Sequence, residues 1–200
     1  MSIHVNSGLK LYMESAIAAP VTITAITKAA PGVLSATGHT FANGDTVLLE
    51  IQGMVELHGY LCKVVNVVAS TSFQVAGVDG TAGIDTTLFS TFSSGTAKKV
   101  TLGASIVGVQ EFAFAGGEIK TTDTTTVNDT VDTQIVVGAT AQSADMTMQW
   151  DPSAAAQQAM ITAFKTRSNK GFKVLWPDGA FAMWYGTVGY TGAPGGGKQG

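Results

Sequence analysis

The stretch 146–190 constrains the fold most, because it predicts a strand, a short helix and a hairpin in that order. Met146, Met148 and Trp150 alternate with polar residues, which is the period of a half-buried strand. Apolar residues then recur at helical spacing and predict a helix over about 152–167. A helix this short persists only when it packs on other structure. We therefore predict a mainly β core with one flanking helix.

The ends of these elements have their own signals. Asp151 stands at the expected N-cap and Pro152 at the first helical position, while Gly171 is the expected helix stop. The sequence Pro-Asp-Gly at 177–179 predicts the tight turn of a hairpin. The side chains predicted to pack the core of this unit are Trp150, Met160, Phe164, Phe172, Val174 and Trp176.

Charge and composition narrow the function. A net charge of −3 argues against a protein that grips nucleic-acid phosphates. Only 12% of the residues are charged, below the usual quarter, and the mean hydropathy is +0.25, which favours an oligomer. The alternative is a compact β protein whose surface is rich in uncharged Thr and Ser. With no apolar leader and no apolar run of membrane-spanning length, we expect a protein made in a cytoplasm and not inserted in a membrane.

Residues 21–99 predict a small all-β module inserted in the core domain, which then comprises 1–20 and 100–200. Short β-prone runs separated by turn signals, among them Asn-Gly-Asp at 43–45, support a barrel or sandwich. The patterns G-H-x-F-x-N-G-D-x-V, G-M-x-E-L-x-G and S-F-x-V-x-G-V, which begin at 38, 53 and 72, resemble a small β domain of phage tail and fibre proteins.

The histidines and the cysteine of this module give little support for a metal site or a reactive thiol. His39 and His58 lack an acidic or Cys neighbour at metal-ligand spacing, so a turn-packing role is the preferred interpretation of His39 and metal binding the alternative. Cys62 lies in an apolar run and is interpreted as a core residue; as the one cysteine it excludes an internal disulfide framework. We predict no metal and no cofactor.

An acidic, Thr-rich segment at 117–134 is too polar for a core strand and too β-prone for a free linker. We interpret it as a loop or β-arm that orders against a neighbouring subunit; a mobile surface loop is the alternative. Seven acids and one lysine lie between 111 and 151, whereas four cations and no acid lie between 165 and 173. The arm candidates are Glu118, Asp123, Thr125, Asp129 and Asp132, and their basic counterparts are Lys165, Arg167 and Lys170.

An ordered set of motifs runs through the second half of the chain. It comprises Gly117-Glu118, Asp123-Thr124-Thr125, the Trp-Asp-Pro helix start at 150–152 and the Pro-Asp-Gly hairpin. In this order they resemble the major tail tube proteins of phages with long non-contractile tails (siphoviruses). One departure is the glycine-rich end, TGAPGGGKQG, where the family pattern would place a further strand.

The resemblance implies a β-sandwich of two sheets with one flanking helix. It also implies hexameric rings that stack into a hollow tube, through which DNA passes as non-specific cargo into the host. The implied partners are the chain itself and the tape measure, tip and terminator proteins of the tail. The implied location is the virion tail, assembled in the host cytoplasm.

Two other functional classes have less support in the sequence. An outward-displayed module that binds a receptor or glycan would need aromatic faces, and 21–99 supplies only Tyr60. An enzyme would need a catalytic constellation, and phosphate-loop, nucleophile-elbow and zincin motifs are absent from the sequence. Asp151 and Asp178 as paired carboxylates are explained more simply by cap and turn roles. We therefore expect a structural protein and no enzyme.

Overall fold

The computed structural model describes residues 8–76, 83–123 and 134–190, with side chains of 134–139 excepted. Over these residues the chain is mainly β, with antiparallel sheets and one α-helix, as predicted. The elements are β1 Lys10–Met13, β2 Ala16–Ile17, β3 Val21–Ile23, β4 Ala25–Ile26, β5 Leu34–Ser35, β6 Thr46–Gln52, a 3₁₀ turn Val55–Leu57, β7 Leu61–Val68, β8 Ser72–Ala76, β9 Ser94–Thr101, β10 Ala104–Ile106, β11 Val109–Ala115, β12 Ile119–Asp123, β13 Gln134–Ala139, β14 Ser143–Met148, α1 Ala155–Thr166, β15 Asn169–Leu175 and β16 Phe181–Thr187.

The larger sheet closes on itself into a barrel. Its strand order is β2-β9-β6-β7-β8-β5-β4, and β3 also pairs with β9. Because β3 and β4 are separated by Thr24 alone, one continuous segment pairs with β9 at one end of the sheet and with β5 at the other. Closure removes the free edges that an open sheet of this size would expose.

The barrel encloses an apolar core that lies wholly within residues 23–97. Phe73, Leu34, Val47 and Val64 are fully buried in it. The predicted turn at 43–45 joins the barrel strands, with Gly44 at φ 94° and its N–H donated to the carbonyl of Val64 at 2.8 Å. Alternating apolar residues along each strand therefore face one shared interior, which is why the strand pattern was readable in the sequence.

A second sheet has the order β10-β1-β15-β16. The hairpin β15–β16 is the one predicted: the N–H of Gly179 donates to the carbonyl of Trp176 at 3.0 Å, and Gly179 has φ 89°. One face of this sheet packs on the barrel, where Met183 meets Leu48 and Leu61. The barrel and this sheet thus share an apolar cluster.

The helix differs from the prediction at both ends. It begins at Ala155 with Ala154 as N-cap and no side-chain cap, because a turn at 152–153 separates Asp151 from the helix. It ends at Thr166, and the C-cap residue Arg167 takes the left-handed conformation at φ 52°. Gly171 is not the helix stop but a buried residue of β15; a Cβ there would lie 3.1 Å from Leu61 Cδ1, a tight contact with a side chain of the barrel.

Two of the predicted core side chains prove to be surface residues. Trp150 is 42% exposed, because β14 ends at Met148 and the alternation does not continue to it. Phe164 is 41% exposed and contacts Tyr190, with ring centroids 6.0 Å apart. Met160, Phe172 and Val174 are buried, and Trp176 is half-buried.

The chain divides into two compact units, one of residues 1–107 and 152–200 and one of residues 108–151. Barrel, four-stranded sheet and helix all belong to the first unit. The division into a core domain and a separable insert at 21–99 therefore stays a prediction. The second unit consists of β11 to β14.

Candidate interaction site

The second unit is a two-stranded ribbon, which we call the arm. Strand β11 pairs with β14, and β12 pairs with β13, each antiparallel. Since β11 leads into β12 and β13 into β14, the two ladders follow one another along a single long hairpin. The residues between β12 and β13, at 124–133, lie outside the described part of the chain.

A glycine joint connects the two ladders of the arm. Gly116 and Gly117 have φ of 83° and 80°, a conformation that residues with a Cβ adopt only under strain. The N–H of Gly117 donates to the carbonyl of Thr140 at 3.2 Å, and the N–H of Thr140 donates to the carbonyl of Glu118 at 2.8 Å. A Cβ on Gly116 would collide with the carbonyl oxygen of Ala141. The two glycines are thus required by the backbone path.

The arm exposes apolar side chains and open strand edges. Phe114 is 52% exposed and Ile119 68% exposed, and every residue of β12 is exposed. A ribbon of two strands has an unpaired edge on each side and is only marginally stable alone in water. Such a surface gains free energy when another chain covers it.

The predicted arm residues fall in two groups. Glu118 lies at the glycine joint and Asp123 at the end of β12, and both are exposed. Thr125, Asp129 and Asp132 lie outside the described residues. The structure therefore places two of the five candidates on the arm.

The predicted basic counterparts are not equivalent. Lys165 and Arg167 are exposed at the C-terminal end of α1. Lys170, by contrast, donates to Glu14 Oε1 at 3.0 Å, and the N–H of Gly171 donates to Glu14 Oε2 at 3.2 Å. Because Glu14 is buried, its charge needs this partner, so Lys170 serves the subunit's own interior. Sequence analysis had no signal for a pair this far apart along the chain.

Two other lysines were missed by sequence reasoning. Lys63 Nζ and Lys173 Nζ lie 5.8 Å and 5.2 Å from the centroid of the Phe181 ring. Lys63 belongs to the barrel strand β7, whereas Lys173 and Phe181 belong to the four-stranded sheet. Only the contact between the two sheets brings these residues together.

The histidines and the cysteine of the barrel make packing and backbone contacts. His39 is buried, stacks on Phe41 at 5.4 Å and accepts the Phe41 N–H at Nδ1. His58 contacts the backbone of Ile51, whereas His39 contacts Phe41, so the two histidines have different partners. Burial raises the pKa of the Cys62 thiol to about 12, which leaves it unreactive at neutral pH.

Within the described residues, no three His, Cys, Asp or Glu side chains gather as a metal site would require. Nor does any described helix have the length and apolar character needed to cross a membrane.

The described residues define a mainly β protein with one helix, in which the arm is a two-stranded antiparallel ribbon. The family model for phage tail tube protein (TTP) matches residues 53–198, so the chain belongs to this family. The family is structural and supplies a component of the phage tail. The match begins within 21–99 and takes in strands β7 to β16. No curated protein matches the chain.

Proposed function

We propose that this chain is the major tail tube subunit of a siphovirus-type phage. Its copies form hexameric rings, and the rings stack into the hollow conduit that delivers the genome into the host. The family match over 53–198 carries this proposal. The exposed arm supports it, because a subunit that polymerises needs a surface reserved for other copies.

The arm joins copies of the subunit. Its acids, with Glu118 and Asp123 on the described part, face cations of a neighbouring copy, with Lys165 and Arg167 as exposed candidates. One such surface pair contributes roughly 0–1 kcal/mol, but a ring repeats it in every subunit. Strand addition at the open edges of β12 and β13 supplies main-chain hydrogen bonds as well.

DNA is cargo in this proposal and not a ligand. A tube wall with net negative charge repels the DNA phosphates. Because it does not neutralise them, no counterions are released and the DNA is not held in place. The chain's net charge of −3 fits such a wall. The tube needs no cofactor; its other partners are the tape measure, tip and terminator proteins, and assembly takes place in the host cytoplasm.

The segment 21–99 lies on the outer surface of the tube in this proposal, since a projection inward would obstruct the bore. Deleting it, with a short linker in its place, is expected not to abolish tube formation. Because the barrel covers one face of the four-stranded sheet, the deletion also needs polar replacements at Phe181 and Met183. A deletion variant that folds but forms no rings would make the segment an assembly element.

Assembly is tested directly on the purified chain. Negative-stain electron microscopy and analytical sedimentation, at rising protein concentration and near-physiological salt, are expected to show rings and tubes. A chain that stays a discrete monomer at high concentration contradicts the proposal. That outcome would favour the receptor- or glycan-binding alternative.

A further inference from the structure

Lys63 and Lys173 form an unusual cluster at the contact between the barrel and the four-stranded sheet. Their ammonium groups lie 5.8 Å and 5.2 Å from the centre of one ring, that of Phe181. Both side chains are half-buried. The ring attracts each cation, but its quadrupole does not neutralise the charge of either ammonium group.

The neighbouring lysines of the first unit show what is missing here. Lys98 lies 2.7 Å from Glu50, Lys99 lies 2.8 Å from Asp45, and Lys170 has Glu14. Among the described residues, Lys63 and Lys173 have no carboxylate within ion-pair distance. A half-buried pair of like charges is costly without a counter-charge.

The missing charge is present in excess on the other unit. Residues 108–151 carry seven acids and one lysine, whereas the rest of the chain carries seven acids and ten cations. Each copy therefore supplies one strongly acidic arm and one basic unit. Charge complementarity of this kind favours contact between the arm of one copy and the basic unit of the next.

We propose that Lys63, Lys173 and Phe181 form an acceptor site for a carboxylate from the arm of a second copy. This inference rests on the proposed function, since it needs copies that associate. Glu118 is the first candidate donor, because it is exposed next to the glycine joint and its carboxylate makes no hydrogen bond with the described residues. The carboxylate of the second copy balances the charges of Lys63 and Lys173 only in the assembled state.

Zero-length cross-linking tests the contact without any substitution. Tubes assembled from equal parts of unlabelled and nitrogen-15-labelled chain are treated with a carbodiimide, which joins an amine to a carboxylate in contact with it. Mass spectrometry is expected to find mixed-isotope peptides that link Lys63 or Lys173 to residues 111–123. Tubes that form without such links overturn the inference but leave the proposed function standing; absence of tubes removes the basis of both.

Paired substitutions measure the effect. Lys63→Gln with Lys173→Gln is expected to raise the critical concentration for assembly by roughly fivefold per lysine, the upper range for an ion pair. It should also weaken the salt dependence of assembly. Lys10→Gln with Lys28→Gln removes the same charge from exposed positions of the same unit and serves as the control. Equal effects of the two pairs contradict a specific site.

DNA phosphate is the competing occupant of the cluster. If double-stranded DNA protects Lys63 and Lys173 from amine acetylation while DNA-free tubes leave them reactive, the cluster binds phosphate and the inference is wrong. Protection in DNA-free tubes supports the carboxylate of a second copy. Urea unfolding of each variant as a free subunit checks that the fold is unchanged.

Discussion

Met160 and Phe164 lie one turn apart on α1, yet only Met160 is enclosed by the core. Met160 is 8% exposed, and Ala156 and Ala163 beside it are buried more completely. Phe164 stands on the same side of the helix but lies in its last turns, where it contacts Tyr190 at the surface. The two side chains therefore contribute differently to stability.

We predict that Met160→Ala lowers the free energy of unfolding by about 2–4 kcal/mol, whereas Phe164→Ala lowers it by less than about 1 kcal/mol. The first substitution leaves a cavity, and the second removes contact area that water already reaches. Urea unfolding of both variants measures the difference. A loss above about 3 kcal/mol for Phe164→Ala would show that the ring is buried.

Asp45 lies at the end of the turn at 43–45, and its carboxylate accepts the N–H of Ala42. Partial burial acts to raise its pKa, but the Lys99 ammonium at 2.8 Å and the N–H of Ala42 at 2.9 Å outweigh this, so the pKa of Asp45 lies below its ordinary value. A carboxyl with a depressed folded-state pKa stabilises the fold above its unfolded-state pKa. This contribution is lost as the pH falls through the folded-state value.

We predict that Asp45→Asn destabilises the barrel by up to about 1 kcal/mol at pH 7. The difference from the wild type should shrink below about pH 4, where the wild-type carboxyl also becomes neutral. Unfolding free energies at pH 7 and pH 3 check this. A difference that stays constant across that interval would show that shape, and not charge, accounts for the effect.

At the scale of elements, the arm is a ribbon whose strands satisfy only half of their backbone groups. In an antiparallel pair every second N–H points to the partner strand, and the others point outward. Ordering or covering such a segment costs backbone entropy, so a partner must supply compensating contacts.

Assembly is expected to protect alternate amides of β12 and β13 from hydrogen exchange, while amides of the barrel strand β6 keep the same protection in subunit and tube. Equal exchange of the arm in both states would rule out strand addition. Deleting residues 120–132 should leave a folded subunit that does not polymerise. Normal tubes from this variant would show that the arm is dispensable.

At the scale of the whole molecule, the barrel contains its own core. The buried cluster of the barrel lies within residues 23–97, and closure needs only strands β3 to β9. What it shares with the rest of the chain is the apolar face that carries Leu48 and Leu61. A segment with a closed sheet and a complete core can fold alone.

We predict that residues 16–101, with Leu48→Thr and Leu61→Thr to make the uncovered face polar, unfold in one cooperative transition. Phe73→Ala in this fragment should cost about 3–5 kcal/mol, because Phe73 is fully buried. Circular dichroism during urea titration provides the measurement. A fragment with no transition would show that the barrel depends on the four-stranded sheet.

Local chemistry by itself determined the strands, the turns and the charge asymmetry. The Pro-Asp-Gly hairpin depends on residues a few positions apart, so its backbone requirement is visible in the sequence. The turn at 43–45 and the glycine joint have the glycines that positive φ requires, although their hydrogen-bond partners Val64 and Thr140 lie farther along the chain. The β character of 21–99 was readable for the same reason, because alternation reports a shared interior. The acids of the arm are a property of composition alone.

Only the tertiary structure decided which residues meet. Gly171 packs closely against Leu61, and Lys170 pairs with Glu14. Lys63 and Lys173 lie near the Phe181 ring, and Lys63, Leu61 and Glu14 are all far in sequence from the partners that they meet. The start of α1 at Ala155 and the exposure of Phe164 likewise depend on packing. Periodicity gives the direction of a side chain, but the extent of the surface that covers it depends on distant strands.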